Sequence, residues 1–496
     1  MDNVIDKLET TLDSALLNSL EPRLLWKYFL ALSQIPRGSK NEAAAALWVA
    51  EQARALGCDV IQDEVGNVIA RKAATPGREQ APITALQAHV DMVCEKNEAT
   101  VHDFLTDPIA LVREGDILRA SGTTLGADNG IGVAAALAVL ASKEIKHGPL
   151  EVLITVDEET GLTGANHLKG GLLKATYLMN LDSEEEGDLT IGCAGGIDTM
   201  ATRHVTLVPA TPGKASYRLK VMGLKGGHSG MEINQGRGNS LRILGQLLYT
   251  LAPKFGLEVA TLTGGNKRNA IPREASALVF LDVKHEAAVK AAVTAIEQEL
   301  RSALGSFDPG LVLTLEPVAT ELTQVFSAED TRKCALFLFT MLHGVVANSA
   351  AIPGLVQTST NLAMINTQGA DVVVSMSQRS SIESSKFTVA DQVSAVCELA
   401  GFGVKRGDGY PGWQPEPTLP LVKLLGDVHT EVFGKAMGIQ AIHAGLECGL
   451  IGEKYPEMQM VSFGPNMWDV HTPDEHVSIG SVANFWKLLV AVLEKV

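Results

Sequence analysis

At 496 residues the chain exceeds one ordinary domain and implies about two to four. It is 46% hydrophobic and 20% charged, a globular balance, with 41 basic against 57 acidic residues and a net charge of -16. That charge argues against nucleic acid or an anionic membrane surface as a partner, and no apolar run reaches the roughly 18 residues of a membrane span. The opening Met1-Asp-Asn-Val-Ile-Asp-Lys is polar and lacks the order of a secretory leader. Cys58, Cys94, Cys193, Cys334, Cys397 and Cys448 show no paired spacing, which fits reduced thiols. Cys94 and Cys193 read as small buried residues rather than ligands. The expected setting is cytoplasmic.

Taken in order, Pro22 to Leu32 and Glu42 to Arg54 read as helices, the first broken by Pro36-Arg-Gly-Ser. A short strand pair spans Cys58 to Arg71. Leu86 to Asp91 ends a buried strand, and Leu150 to Val156 and Tyr177 to Asp182 are two more. Between them a glycine-rich turn, Thr124 to Gly130, enters a small-residue helix, Ile131 to Ala141. Near Ser216 the pattern changes to half-exposed alternating strands, with helices at Ser240 to Leu251, Glu286 to Leu304 and Asp330 to Leu342. Strands are expected at Leu257 to Thr263, Ala275 to Val283, Val356 to Ile365 and Asp371 to Ser377. An α/β pattern then resumes and closes on a helix from Ser481 to Glu494. The expected fold is α/β, with a discontinuous domain at 1-205 and 400-496, a mixed sheet flanked by helices. It is interrupted by an α+β insertion of two like halves at 206-399.

His89 and Asp91 lie two apart on an extended chain and so share a face. That spacing lets a carboxylate orient a metal-binding imidazole. The plainer reading is a strand-end histidine bonded to its neighbour. Asp128 sits in the glycine turn, where it suits a cation but equally caps a helix. Glu158 and Glu159 end a buried strand, where acids are costly without a cation or a task, unless the loop is simply solvated. Asp182 ends another strand, and Glu184 to Glu186 beyond it read as a solvated acidic run. His471 lies in a loop after a strand, with His476 as competitor. Two imidazoles and several carboxylates at strand ends suit a pair of divalent ions, commonly zinc. No G-x-S-x-G and no catalytic-cysteine context occurs.

His89-Val-Asp, Gly126-Ala-Asp-Asn-Gly, Asp157-Glu-Glu-Thr-Gly, Asn180-Leu-Asp and His471-Thr-Pro-Asp-Glu resemble, in this order, the motifs of the co-catalytic zinc peptidases. Gly226-Gly-His-Ser-Gly, Asn266-Lys-Arg-Asn-Ala-Ile-Pro and His443-Ala-Gly-Leu-Glu-Cys-Gly look more narrowly like the cytosolic aminoacyl-histidine dipeptidases, over essentially the whole chain. The resemblance implies a di-zinc metallopeptidase acting on unblocked dipeptides, including Xaa-His such as β-alanyl-histidine. It implies two Zn2+ per subunit, with Co2+ or Mn2+ able to substitute. One ion is held by His89 and Asp182, the other by Glu159 and His471, with Asp128 bridging. Asp91 orients His89, and Glu158 is the general base. The insertion is the family's lid. His228 resembles its oxyanion-stabilising histidine, though a glycine-flanked histidine alone reads as a loop residue. Asn269, Arg379 and Glu447 are candidates for holding the dipeptide backbone, its carboxylate and its amino group. Read plainly, Arg379 is a surface charge, and His443 could be packing. The expected partners are dipeptide substrates and a second copy in a homodimer. Two alternatives stay open: a tripeptidase or N-acyl-amino-acid deacylase, or a non-catalytic metal- or peptide-binding protein.

Overall fold

The computed structural model describes residues 14–496, so the polar Met1 to Lys7 segment lies outside the described residues. Two compact units result. One comprises the chain up to Gly192 with Pro415–Ala441 and Leu446–Val496, the other Cys193–Gln414 with Ile442–Gly445. In chain order the first segment lays down strands β1 (Asp59–Gln62), β2 (Val68–Lys72) and β3 (Thr84–His89), helix α1 (Ala127–Ala141), and strands β4 (Leu150–Thr155), β5 (Tyr177–Asn180) and β6 (Asp188–Cys193). The second unit contributes β7 (Gly195–His204), β8 (Ala215–Met222), α2 (Ser240–Phe255), β9 (Glu258–Gly264), β10 (Ala275–Leu281), α3 (Glu286–Leu304) and β11 (Val312–Pro317). It continues with α4 (Ala328–Thr340), β12 (Val356–Gln368), β13 (Asp371–Ser380), α5 (Glu383–Leu399) and β14 (Gly403–Arg406). The chain then returns with β15 (Gly438–Ile442) and β16 (Gln459–Ser462).

The first unit's eight-stranded sheet has the order β1-β2-β4-β3-β5-β16-β6-β15. Its centre is parallel: β3 pairs with β4 and β5, and β16 pairs with β5. Every residue of β3 and of β4 is buried, as a sheet covered on both faces requires. Helix α1 packs on β3 and buries all its residues but Asp128. Parallel strands place their carboxyl ends together, and in an α/β sheet ligands bind beyond that edge. His89 is the last residue of β3, Glu158 and Glu159 follow β4, and Asp182 follows β5.

The second unit's nine-stranded sheet runs β11-β8-β10-β9-β12-β13-β7-β14, with Gly344–Asn348 added beside β12. It contains the β-α-β-β-α-β arrangement twice. One copy is β8-α2-β9-β10-α3-β11, and the other is β7-α4-β12-β13-α5-β14, split in sequence by the first. The sheet reads 4-1-3-2 and then 2-3-1-4, joined where the second strands pair, Thr263 with Asn366 and Gly264 with Ile365. Alternate residues of β8 are buried against the helices, so one face of this antiparallel sheet makes the core.

The division falls at Gly192/Cys193 and Gln414/Pro415, not at the boundaries 205/206 and 399/400 read from the sequence. The reason is β7, which pairs antiparallel with β13 and β14 and so belongs to the second sheet. Cys94 departs from expectation too: it is exposed in the loop beyond β3, while the other five cysteines are buried, and none of the six is in a disulfide. No helix among the described residues is long and apolar enough to cross a membrane.

Leu153, fully buried at the middle of β4, tests the parallel core. Leu153→Ala should destabilise the first unit by about 2–5 kcal/mol, read as a lower denaturant midpoint.

Candidate metal centre

The strand ends bring the expected ligands to one place. His89 Nε2 lies 3.1 Å from Asp128 Oδ1 and 3.3 Å from Asp182 Oδ1. His471 Nε2 lies 3.1 Å from Asp128 Oδ2 and 2.9 Å from Glu159 Oε2. The two oxygens of Asp128 therefore face different imidazoles. His89, Asp128 and Asp182 form one group whose ligand atoms can hold a metal ion, and Asp128, Glu159 and His471 form another. A third group, His89, Glu158 and Glu159, puts Glu158 within reach as well. His476, the competitor, is turned away, its Nδ1 on the Asp474 carbonyl and its ring stacked on Trp468.

Local structure explains the aim of each side chain. Asp91 is fully buried; it accepts from Ser39 Oγ at 2.7 Å and from the N–H groups of Glu158 and Glu159, with His89 Nδ1 3.4 Å away. It therefore faces the far nitrogen of His89 and ties the turn after β4 to the end of β3. That turn starts at Asp157, held at φ 49 with its carboxylate taken by Thr160 and Thr163. His471 also sits in left-handed backbone, φ 63. The Asp128-Asn129 peptide is cis.

The charges are tightly coupled. Burial opposes protonation of His89, but Asp182, Asp128 and Asp91 outweigh it and raise its pKa well above the usual value. Hydrogen bonds to Asp128 and Glu159 lift His471 to about 11. Burial raises Asp182 to about 7 against the pull of His89, with Asp128 and Glu159 adding repulsion. Burial, with Asp182, Glu447 and Glu159 nearby, holds the Glu158 carboxyl well above the ordinary range despite His89. Asp91, whose burial is overcome by His89 and by backbone and Ser39 donors, falls to about 2.

The donor set fits divalent cations. Buried Glu159 Oε1 and Asp182 Oδ1 have no hydrogen-bond partner, and imidazole-carboxylate mixtures suit zinc and its neighbours. A cluster this acidic is costly to bury without positive charge.

Two residues went unassigned in the sequence. Glu475 is buried and accepts from the N–H groups of Leu125, Gly126, Ala127 and Asp128. Arg37, read only as part of a helix-breaking turn, is buried and donates to the carbonyls of Val90, Asp91 and Gly126. Glu475 stands inside His471-Thr-Pro-Asp-Glu, which was the one available signal. Glu447, expected at the substrate's amino group, has one buried oxygen, Oε1, with no hydrogen-bond partner. It is fully buried, its Oε2 taken by Gln87 Nε2 at 2.6 Å and Thr155 Oγ1 at 2.7 Å, which leaves it bracing β3 and β4. Glu184 and Glu185 are exposed.

In the second unit, His228 and Asn269 line one cavity of about 780 Å³. His228 Nδ1 accepts from the N–H groups of Gly230 and Met231, so its proton sits on Nε2, and burial together with Arg379 lowers its pKa and keeps the ring neutral. Arg379 is no surface charge: it is 8% exposed on β13, with Nε unpartnered. It does not line that cavity. His443 Nε2 is hydrogen-bonded to Ser359 Oγ at 2.7 Å.

The model of peptidase family M20/M25/M40 matches residues 85–495. The chain belongs to that family. It is 41% identical over 480 residues to the cytosol non-specific dipeptidase of Escherichia coli (strain K12), covering 97% of this chain and 99% of the relative. The solved aminoacylhistidine dipeptidase of Vibrio alginolyticus shares 43% identity at TM-score 0.90, covering 97% and 98% of the two chains. A Staphylococcus aureus tripeptidase, 16% identical at TM-score 0.55 over 96% and 98%, shares the fold alone.

Two measurements follow for this M20 chain. Asp128→Ala should weaken divalent-metal binding at both of the ligand groups that share it, whereas Asp182→Ala should weaken it at one, as read by equilibrium dialysis. His443 is pushed down to about 3 by burial and Arg379. A neutral folded imidazole that titrates near 6.5 when unfolded gives stability present above pH 6.5 and lost as pH falls toward 3. Unfolding free energy should drop by up to about 1.4 kcal/mol per pH unit in that window, and the slope should be shallower in His443→Gln.

Proposed function

We propose that this chain is a cytoplasmic di-zinc dipeptidase that hydrolyses unblocked dipeptides, including Xaa-His such as β-alanyl-histidine. The observation that carries it is Asp128, one carboxylate facing His89 with one oxygen and His471 with the other. The names of the Escherichia coli and Vibrio alginolyticus relatives support the substrate class, and that of the former supports the compartment. His89 and Asp182 would hold one zinc and Glu159 and His471 the other, with Asp128 shared between the two groups; Co2+ or Mn2+ would substitute. Ions bound there would supply the acidification of water and the polarisation of a carbonyl.

The chain's own groups do the rest. Glu158 takes the proton of the attacking water and hands it to the leaving amine, the role its raised proton affinity suits. Asp91, its Oδ1 3.4 Å from His89 Nδ1, keeps Nε2 aimed at the centre. His228, a neutral donor through Nε2, stabilises the oxyanion. Asn269 holds the peptide backbone, and Arg379, with a free donor, takes the terminal carboxylate. The assembly we propose is a homodimer, to be read by sedimentation.

The test is hydrolysis of β-alanyl-histidine, several α-dipeptides, a tripeptide and an N-acetyl amino acid, with and without chelator. Dipeptide cleavage that chelator stops and zinc restores is expected. Cleavage of the tripeptide or the acetylated substrate alone overturns the substrate class, and no turnover at full zinc occupancy overturns the enzyme. Glu158→Ala should abolish turnover while zinc content stays unchanged. His228→Ala should lower kcat about 100- to 1,000-fold, also with full zinc.

A further inference from the structure

The turn that presents Asp128 is gripped from both sides by two buried residues outside the ligand set. Glu475 Oε2 accepts from Leu125 N–H at 2.7 Å and Gly126 N–H at 3.0 Å, and its Oε1 from Ala127 N–H at 2.8 Å and Asp128 N–H at 3.3 Å. Four consecutive backbone donors thus close on one carboxylate, a cradle that fixes a backbone as firmly as it fixes the anion. On the other side Arg37 Nη2 donates to Gly126 O, while its Nη1 donates to Val90 O at 2.9 Å and Asp91 O at 3.2 Å.

The glycines of the turn are shaped to this grip. A Cβ at Gly126 would lie 2.4 Å from Arg37 Nη2, and one at Gly130 2.7 Å from it, and Gly126 adopts φ +69. Arg37 is anchored in turn: Met92 N–H donates to its carbonyl, and Ser39, two residues on, reaches the Asp91 carboxylate. Arg37 therefore joins the Asp128 turn to the end of β3 that carries His89. Glu475, four residues past His471, joins the same turn to the loop that carries His471.

We propose that Arg37 and Glu475 are positioning residues that set Asp128 between the two imidazoles, so that both metal sites depend on them at once. The inference rests on the di-metal reading above. A carboxylate whose two oxygens serve two ions must be placed in both translation and rotation, and its own side chain packs too few atoms to do so. Loosening the turn moves both oxygens together. Loss of Glu475 leaves four buried N–H groups without an acceptor, and lysine in place of Arg37 keeps the charge but not the fork that reaches three carbonyls.

The experiment titrates metal-free wild-type, Glu475→Gln, Arg37→Lys and Asp182→Asn proteins with Co2+, following its visible bands and, in competition, zinc affinity. Circular dichroism and thermal melting establish folding. Glu475→Gln and Arg37→Lys should each weaken the first and second equivalents together, by about 10- to 100-fold, while Asp182→Asn weakens one. Glu475→Asp, which retains both acceptor oxygens, should recover part of the loss. Folded Glu475→Gln or Arg37→Lys protein with both affinities at the wild-type level overturns the proposal, as does a loss confined to one equivalent. Should Glu475→Gln not fold, Arg37→Lys and Glu475→Asp decide by the same criterion. Wild-type protein that takes two ions yet cleaves no peptide refutes the dipeptidase reading and leaves this one standing. Wild-type protein that takes fewer than two refutes both.

Discussion

Asp128 stands between two imidazoles, and most of the first unit can be understood as the means of keeping it there. One oxygen faces His89 and the other His471, residues 382 positions apart that meet because β3 and β16 flank β5 in the same parallel run. Around them Asp91, Glu158, Glu159 and Asp182 crowd negative charge into a region that water barely reaches. Burial, with repulsion among these groups, raises Asp182 and Glu158, and attraction to them raises His89 and His471. Positive charge at the centre would relieve the first and satisfy the second. The folded chain supplies rigidity instead of charge: strands buried on both faces, a small-residue helix packed on β3, and Asp91 tying two strand ends together.

The second unit solves a different problem. Two β-α-β-β-α-β copies, joined through their second strands, make one wide antiparallel sheet with helices over its core face. Its chemistry-bearing side chains are few and individually constrained. His228 is fixed as a neutral Nε2 donor by two backbone N–H groups, and Arg379 is withdrawn from solvent with a donor unpaired. Neither state could be read from residue identity, since a glycine-flanked histidine and a strand-end arginine are ordinarily mobile and solvated.

The ligand set was legible because each member ends an apolar run, and a buried strand that closes on His-Val-Asp or Asp-Glu-Glu carries a local contradiction that only a cation or a task resolves. The same logic missed Glu475 and Arg37. Glu475 acts on backbone N–H groups about 350 residues away, and backbone donors leave no trace in sequence. Arg37 looked like part of a turn that ends a helix. Strand β7, Gly195-Gly-Ile-Asp-Thr-Met-Ala-Thr-Arg-His, was overlooked because two glycines and scattered polar residues mask its alternation, and the boundary between units was misplaced with it. That Glu447 is buried, with Oε2 accepting from Gln87 and Thr155, is decided by packing and leaves no trace in sequence.

The sequence by itself determined the α/β pattern, the interrupted first unit and the residue types able to bind metal, because hydrophobic period and the cost of buried charge are local properties. Tertiary structure alone decided which carboxylate faces which imidazole, which histidine nitrogen keeps its proton, and which buried ions serve the backbone rather than a ligand. Those choices depend on distances of 3 Å or so between segments hundreds of residues apart, and only the folded sheet sets such distances.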